Sequence, residues 1–345
     1  MSGDGLLVLG GRDVEELLAG REQEIVEVIA RAYVTHQEGK SSLPHSTFLR
    51  FPGDEVNRII ALPAFLGDGF DVAGLKWISS FPGNVGRGKA RASALLVLNE
   101  TDGGRPEIVL EGSIISARRT AASAALGART LLEGRRPELV GLIGNGPINH
   151  EIARFLRIVC GAERFLLYDL DGERARQLAA VLGQAPGRVE ARVAASAAEV
   201  FAACPLVSLA TTAGRPHIDD LSACPPGAAI LHVSLRDLAP QVIVACDNVV
   251  DDADHVCRAQ TSLHLAEQAT GGRGFIRCAL AEILAGKAPA RRGDGAVAVF
   301  SPFGLGVLDV ALGKLVAESA RAAGRGTAVD SFFPALAAPT SFRET

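Results

Sequence analysis

Apolar positions change their period along this chain, and each change marks a different kind of element. Over residues 13–38, Val14, Leu17, Leu18, Ile25, Ile29 and Ala32 recur at helical spacing. Glu15, Glu16, Glu22 and Glu24 lie mostly off that stripe, so the segment is predicted to be one amphipathic helix. Residues 46–112 then break into short apolar or alternating stretches at 47–51, 57–62, 72–79, 92–99 and 107–111. Clusters such as Gly67-Asp68-Gly69 and Asp102-Gly103-Gly104 separate them, the pattern of strands in an antiparallel or mixed sheet. Residues 113–133 turn Ala-rich and helical until Gly134 and Pro137 stop them.

From Glu138 onward strand and helix alternate. Strands are predicted at 139–143, 164–168, 188–193, 206–210, 229–233 and 248–250, with helices from about 148, from 173 and over 196–202. That alternation specifies an α/β fold with a doubly wound parallel sheet. The last part, Gly304-Leu305-Gly306 and a helix over 307–322, is too short to fold alone and is expected to return to the first domain. No period of 20 to 50 residues recurs, which excludes solenoids and propellers.

Composition narrows the function. With 345 residues, 48% hydrophobic and 21% charged, the chain is long and apolar enough for two domains. Its longest apolar runs, such as 139–143, fall far short of the roughly 18 residues that cross a bilayer. The start Met1-Ser2-Gly3-Asp4-Gly5 has no basic region ahead of an apolar one, so a cytoplasmic protein is expected. A net charge of −4 without a Lys/Arg block gives nucleic-acid binding no electrostatic source. The six cysteines have no metal-ligand spacing and are read as reduced, mostly buried small hydrophobes, with no metal expected.

Several residues stand out against this background. Gly144-Asn145-Gly146 directly follows an apolar strand and opens a helix, the context of a dinucleotide-binding turn, although Asn149 occupies the third glycine position. Asp169 ends the next strand 25 residues after Gly144, where an acid accepts hydrogen bonds from a ribose and repels a 2′-phosphate, favouring NAD over NADP. Lys76, one of only five lysines, lies in the apolar strand Val72-Ala73-Gly74-Leu75-Lys76-Trp77-Ile78. It is either an edge lysine reaching water or a ligand for a substrate carboxylate. Arg118-Arg119-Thr120 opens a helix of small residues. The arginines are either solvated helix-end charges or a carboxylate clamp, with Thr120 facing a phosphate. Asp237 follows a strand at the carboxyl edge of the sheet, where ligands bind in such folds, and is either a surface acid or a site residue. His232 is read as a strand-end histidine.

Together, Leu75-Lys76-Trp77, Arg119-Thr120-Ala121-Ala122, Gly141-Leu142-Ile143-Gly144-Asn145-Gly146, Tyr168-Asp169 and Gly304-Leu305-Gly306-Val307-Leu308-Asp309 resemble the ornithine cyclodeaminase/μ-crystallin family across nearly the whole chain. The resemblance implies a homodimer with a substrate-binding and dimerisation domain of residues 1–120 and 305–345, and an NAD-binding Rossmann domain of residues 121–304. It implies that Lys76 and Arg119 hold the substrate carboxylate and that Asp237 handles protons. It places cofactor contacts at Gly144, Asn145, Gly146, Pro147, Ile148, Asp169, Thr120, Ser93, Ala210, Thr211 and Ser234. Three further segments, Leu43-Pro44-His45-Ser46-Thr47-Phe48-Leu49-Arg50, Lys76-Trp77-Ile78-Ser79-Ser80-Phe81-Pro82-Gly83-Asn84 and Ser234-Leu235-Arg236-Asp237-Leu238, look like the branch that makes 2,3-diaminopropionate for siderophores and peptide antibiotics, the staphyloferrin-B type of dehydrogenase.

The expected activity is therefore NAD-dependent oxidation of the CH–NH bond of N-(2-amino-2-carboxyethyl)-L-glutamate. Hydrolysis of the resulting imine gives L-2,3-diaminopropionate and 2-oxoglutarate. Arg50 and His45 are assigned to the other carboxylates, and Asp237, as a carboxylate near its working pKa, to the bridging amine. The alternatives are an ornithine cyclodeaminase, a ketimine or imine reductase, or a non-catalytic NAD(P)H-binding crystallin-like protein. Where cyclodeaminases carry an acid three residues before the proline of the second strand, this chain has Ile60 in Arg58-Ile59-Ile60-Ala61-Leu62-Pro63, which weighs against proline formation.

Overall fold

The computed structural model describes residues 5–293 and 295–334; the ends of the expected first domain, 1–4 and 335–345, lie outside the described residues. In chain order the elements are β1 (Leu6–Leu9), α1 (Gly11–Leu18), α2 (Glu22–Gln37), β2 (Ser41–Ser42), β3 (Thr47–Phe51), β4 (Asp54–Leu66), β5 (Val72–Ser80), β6 (Ala92–Asn99), β7 (Pro106–Glu111) and α3 (Gly112–Leu131). There follow β8 (Val140–Ile143), α4 (Pro147–Cys160), β9 (Arg164–Tyr168), α5 (Gly172–Gly183), β10 (Glu190–Val193), α6 (Ala197–Ala203), β11 (Leu206–Leu209) and β12 (Ala229–His232). The last are α7 (Pro240–Ala245), β13 (Asp247–Val250), α8 (Ala253–Val256), α9 (Ser262–Thr270), β14 (Ile276–Ala279), α10 (Leu280–Leu284), β15 (Ala298–Ser301), α11 (Gly306–Ala323) and β16 (Thr327–Val329).

Two compact units result. Among the described residues, the first holds 5–19, 41–115 and 309–334, and the second holds 20–40, 116–293 and 295–308. The first is built on a mixed sheet in the order β16-β1-β7-β6-β5-β4-β2, with β3 paired to β4. β1 and β7 run parallel and the other neighbours antiparallel. Side chains alternate across it. Lys76, Leu96 and Leu98 point into the core, whereas Trp77 and Leu95, directly opposite each other on β5 and β6, are exposed. The second unit carries an all-parallel sheet in the order β10-β9-β8-β11-β12-β15-β13-β14. The order reverses between β8 and β11, the switch point where dinucleotides bind in doubly wound sheets.

The single helix expected over 13–38 is two helices, interrupted at Gly20, whose φ of +73° no helix accommodates. Its second half is also not part of the first unit, as the expected boundary at residue 120 had it. α2 packs on α10 and α4, Arg154 Nε donates to Glu22 Oε1 at 2.7 Å, and the Tyr33 hydroxyl bonds Ser123 Oγ at 2.6 Å. Five of the six cysteines are buried, and burial pushes the thiols of Cys204 and Cys246 up to about 12. Among the described residues no helix is long and apolar enough to cross a membrane.

Candidate functional site

The turn after β8 is built to leave space at a helix start. Gly144 has φ +82°, and a Cβ there would stand 2.7 Å from Ala210 O and 3.0 Å from Thr211 Cα, so only glycine lets β8 and the end of β11 approach this closely. Gly146 is the N-cap of α4 and makes no side-chain cap bond. A Cβ on it would meet nothing within 4 Å, and Pro147 opens the helix. Open space in front of an uncapped helix N-terminus suits a pyrophosphate. Asn149, which breaks the glycine fingerprint, is fully buried and pins the turn. Its Nδ2 donates to Gly144 O at 2.7 Å and Ile143 O at 3.1 Å, while its Oδ1 accepts from Ser208 Oγ at 2.7 Å. The departure from the fingerprint is thus a substitute fastening, which sequence spacing alone does not reveal.

Asp169 ends β9 beside this turn. Its Oδ2 accepts the Asn145 N–H at 2.6 Å and its Oδ1 the Asp171 N–H at 2.9 Å. Each oxygen keeps a lone pair for a ribose hydroxyl. The Asn145 side chain turns inward, donating from Nδ2 to Leu142 O at 3.0 Å.

At the carboxyl edge of β11 and β12 the chain gathers Thr211, Ser234, His232 and Asp237. The Asp237 carboxylate is fully buried, with Thr211 Oγ1 donating to one oxygen and Ser234 Oγ to the other. His232 Nε2 lies 3.5 Å from Asp237 Oδ2 and 3.3 Å from Asp237 N, and its Nδ1 meets Ser301 Oγ at 3.2 Å. Burial pushes the Asp237 carboxyl upward, but the hydrogen bond and charge of His232 and the hydroxyls of Ser234 and Thr211 outweigh it, holding the acid below the usual carboxylate range. The expectation of a carboxylate near its working pKa is therefore corrected. Asp237 is not a surface acid but a buried carboxylate that fixes two hydroxyls and is held in its anionic form. Leu235, between Ser234 and Asp237, is held at φ +65°, a conformation costly for a branched side chain.

The two arginines of α3 are not solvated. Arg118 is 4% exposed, with Nε 3.0 Å from Glu151 Oε2, and Arg119 is 8% exposed. Thr120 donates its hydroxyl to Ser116 O one helical turn back at 2.7 Å, so its proton is spent inside the helix rather than on a phosphate.

In the first unit Lys76 is 2% exposed, not an edge lysine reaching water. Its ammonium lies 2.7 Å from Asp309 Oδ2, itself buried. Two desolvated charges at contact neutralise each other, so the chain itself supplies a counter-ion for this lysine. α11 comes close enough because Gly313, a turn beyond Asp309, faces β6: a Cβ there would stand 2.4 Å from Leu96 Cδ2. Asp309 is the partner of Lys76 that the sequence did not reveal. The signal was available, since an acid in the apolar run Val307-Leu308-Asp309-Val310-Ala311-Leu312 calls for a buried cation. Elsewhere in this unit His45 and Arg50 are exposed, Arg50 stacking over the Phe48 ring at 5.7 Å, and Ser93 Oγ bonds Ser79 Oγ at 3.0 Å.

Comparison with known proteins agrees with this construction. N-((2S)-2-amino-2-carboxyethyl)-L-glutamate dehydrogenase of Staphylococcus aureus is 25% identical over 337 residues, 95% of this chain and 99% of that protein. The structure of Thermococcus litoralis Δ1-pyrroline-2-carboxylate reductase with NADH and L-proline superposes with a TM-score of 0.86 at 26% identity, covering 93% of this chain and 99% of the other. An archaeal alanine dehydrogenase dimer with bound NAD gives 0.85 at 25% identity, covering 95% and 100%. The ornithine cyclodeaminase/mu-crystallin family profile matches residues 7–324, and this chain belongs to that family.

Proposed function

We propose that this chain oxidises N-(2-amino-2-carboxyethyl)-L-glutamate and releases L-2,3-diaminopropionate and 2-oxoglutarate. It is an NAD-dependent oxidoreductase acting on an amino-acid CH–NH bond. The observation that carries the finer substrate is the similarity to the S. aureus dehydrogenase along 95% of the chain, with Ile60 where cyclodeaminases carry an acid.

Gly144, Gly146 and the start of α4 would hold the pyrophosphate of NAD, and Asp169 its adenosine ribose, which would exclude a 2′-phosphate; bound there, the nicotinamide would supply the acceptor for the hydride of the glutamate-side Cα. The family resemblance assigns a substrate carboxylate to Arg119, which so orients Cα, and to Lys76, which keeps Asp309 as its counter-ion. Asp237, ionised and buried, fixes Thr211 and Ser234 and places a negative charge near the bridging nitrogen as it becomes an iminium. Water then adds to the imine carbon, the C–N bond breaks, and the nitrogen leaves as the amine of diaminopropionate. In the first unit Leu49, Phe65, Trp77 and Leu95 are exposed, an apolar surface that suits a homodimer through this sheet.

A second substrate is favoured by the fit to the pyrroline-2-carboxylate reductase. The test is a panel of the glutamate conjugate, L-alanine, L-proline and L-ornithine with NAD, read by NADH absorbance and product mass. NADH, 2-oxoglutarate and diaminopropionate in equal amounts support the proposal. Turnover of L-proline or L-alanine without the conjugate, or proline and ammonia from ornithine, overturns it.

A further inference from the structure

We propose that Gly304 and Asp251 are positioning residues that hold the guanidinium of Arg119 in place for the substrate carboxylate. The inference rests on the carboxylate role given to Arg119 above. Gly304 lies between β15 and α11 with φ +92°, and a Cβ built on it would stand 2.5 Å from Arg119 Nη1, 3.1 Å from Nη2 and 3.2 Å from Cζ. Three atoms of one guanidinium within 3.2 Å of that point mean that the group lies across the bare Cα of Gly304, in the volume any side chain would occupy. The contact is with the far end of a long side chain, so a methyl there displaces Arg119, and at φ +92° it also strains the backbone, a cost that Arg119→Ala does not share and that the double-mutant cycle separates.

Asp251, at the end of β13, fixes the turn from the other side. It is 2% exposed, its Oδ2 accepts the Gly304 N–H at 2.8 Å, and its Oδ1 accepts the Asp252 N–H at 2.9 Å. Buried backbone donors need such a partner, and the carboxylate sets where the Gly304 Cα stands beneath the arginine. On α3 itself Ser116 Oγ lies 3.5 Å from Arg119 Nη2. A planar cation held over a flat, side-chain-free surface presents its edge in one orientation, which bidentate carboxylate binding needs.

The experiment is a double-mutant cycle on the full chain: Gly304→Ala, Arg119→Ala and both together. It uses whichever amino acid of the panel above the unmodified protein oxidises, since every one carries an α-carboxylate. Gly304→Ala is expected to raise KM about tenfold or more with kcat within about threefold, and to leave NADH affinity, read by fluorescence, unchanged. Adding Gly304→Ala to Arg119→Ala is expected to raise KM no further, because the displaced group is already gone. The proposal is overturned if Gly304→Ala leaves KM unaltered while Arg119→Ala raises it. It is equally overturned if the two factors multiply, which marks general damage. An unaltered KM in Arg119→Ala refutes the carboxylate role itself, and with it this proposal. Should Gly304→Ala not fold, Asp251→Ala enters the same cycle with the same expected outcomes, and Asp251→Asn, which keeps an acceptor for the Gly304 N–H, is expected to restore KM toward the parent value.

Discussion

Replacing Asp309 by asparagine keeps the shape of the buried pair and removes one of its charges. The Lys76 ammonium then loses the carboxylate 2.7 Å away while staying 2% exposed. It escapes the full desolvation cost by giving up its proton, which at pH 7 and an unfolded pKa of about 10.4 costs about 4.6 kcal/mol. That ceiling agrees with the roughly 3–5 kcal/mol lost when a buried pair is broken from one side. With about 2.1 cal/mol/K of unfolding entropy per residue, a loss of about 4 kcal/mol lowers the melting temperature of this chain by about 5 °C if it melts as one unit. The pH dependence identifies the cause. A lysine whose folded pKa is depressed leaves the unfolded state binding more protons, so stability rises with pH, and the gap to the parent protein narrows by about 1.4 kcal/mol per unit from pH 7 toward 9. Scanning calorimetry at pH 7, 8 and 9 measures both. An Asp309→Asn protein melting within about 1 °C of the parent at pH 7, or a gap that does not change with pH, refutes the neutralisation of Lys76 by Asp309.

Asp169→Ser removes the charge that repels a 2′-phosphate and is expected to narrow the preference for NAD over NADP; equal binding of the two by the parent protein in titration calorimetry contradicts that role. Asp237 is held below its ordinary value of about 3.9, so its contribution to stability is present above that pH and lost as pH falls through the lower folded value. It therefore stays ionised across neutral pH, and a pH–rate profile with an apparent pKa between about 5 and 7 that disappears in Asp237→Asn would show that it is the base after all. Sedimentation at micromolar concentration is expected to give a dimer mass, and Trp77→Glu, which puts a charge on the exposed face of β5, a monomer.

Periodicity alone placed β3, β6 and β9 at 47–51, 92–99 and 164–168 and identified the glycine turn, because strand alternation and a turn requiring glycine are local properties. The sequence also marked Lys76, Arg119 and Asp237 as chemically out of place. It left open which alternative held for each, since that depends on groups far along the chain. Asp309 stands 233 residues after Lys76, and α11 carries it back to β5. Gly304 meets Arg119 across a gap of 185 residues, and Thr211 reaches Asp237 across 26. Local pattern was silent on the break at Gly20 and on the grouping of α2 with the second unit, because the apolar stripe continues through both halves while their burial partners differ. It likewise missed β15, whose place between β12 and β13 is fixed by strand order in the finished sheet. Side-chain chemistry and helix or strand period are written in neighbouring residues, whereas the partner of a buried charge, and hence its pKa and its role, exists only once distant segments are packed together.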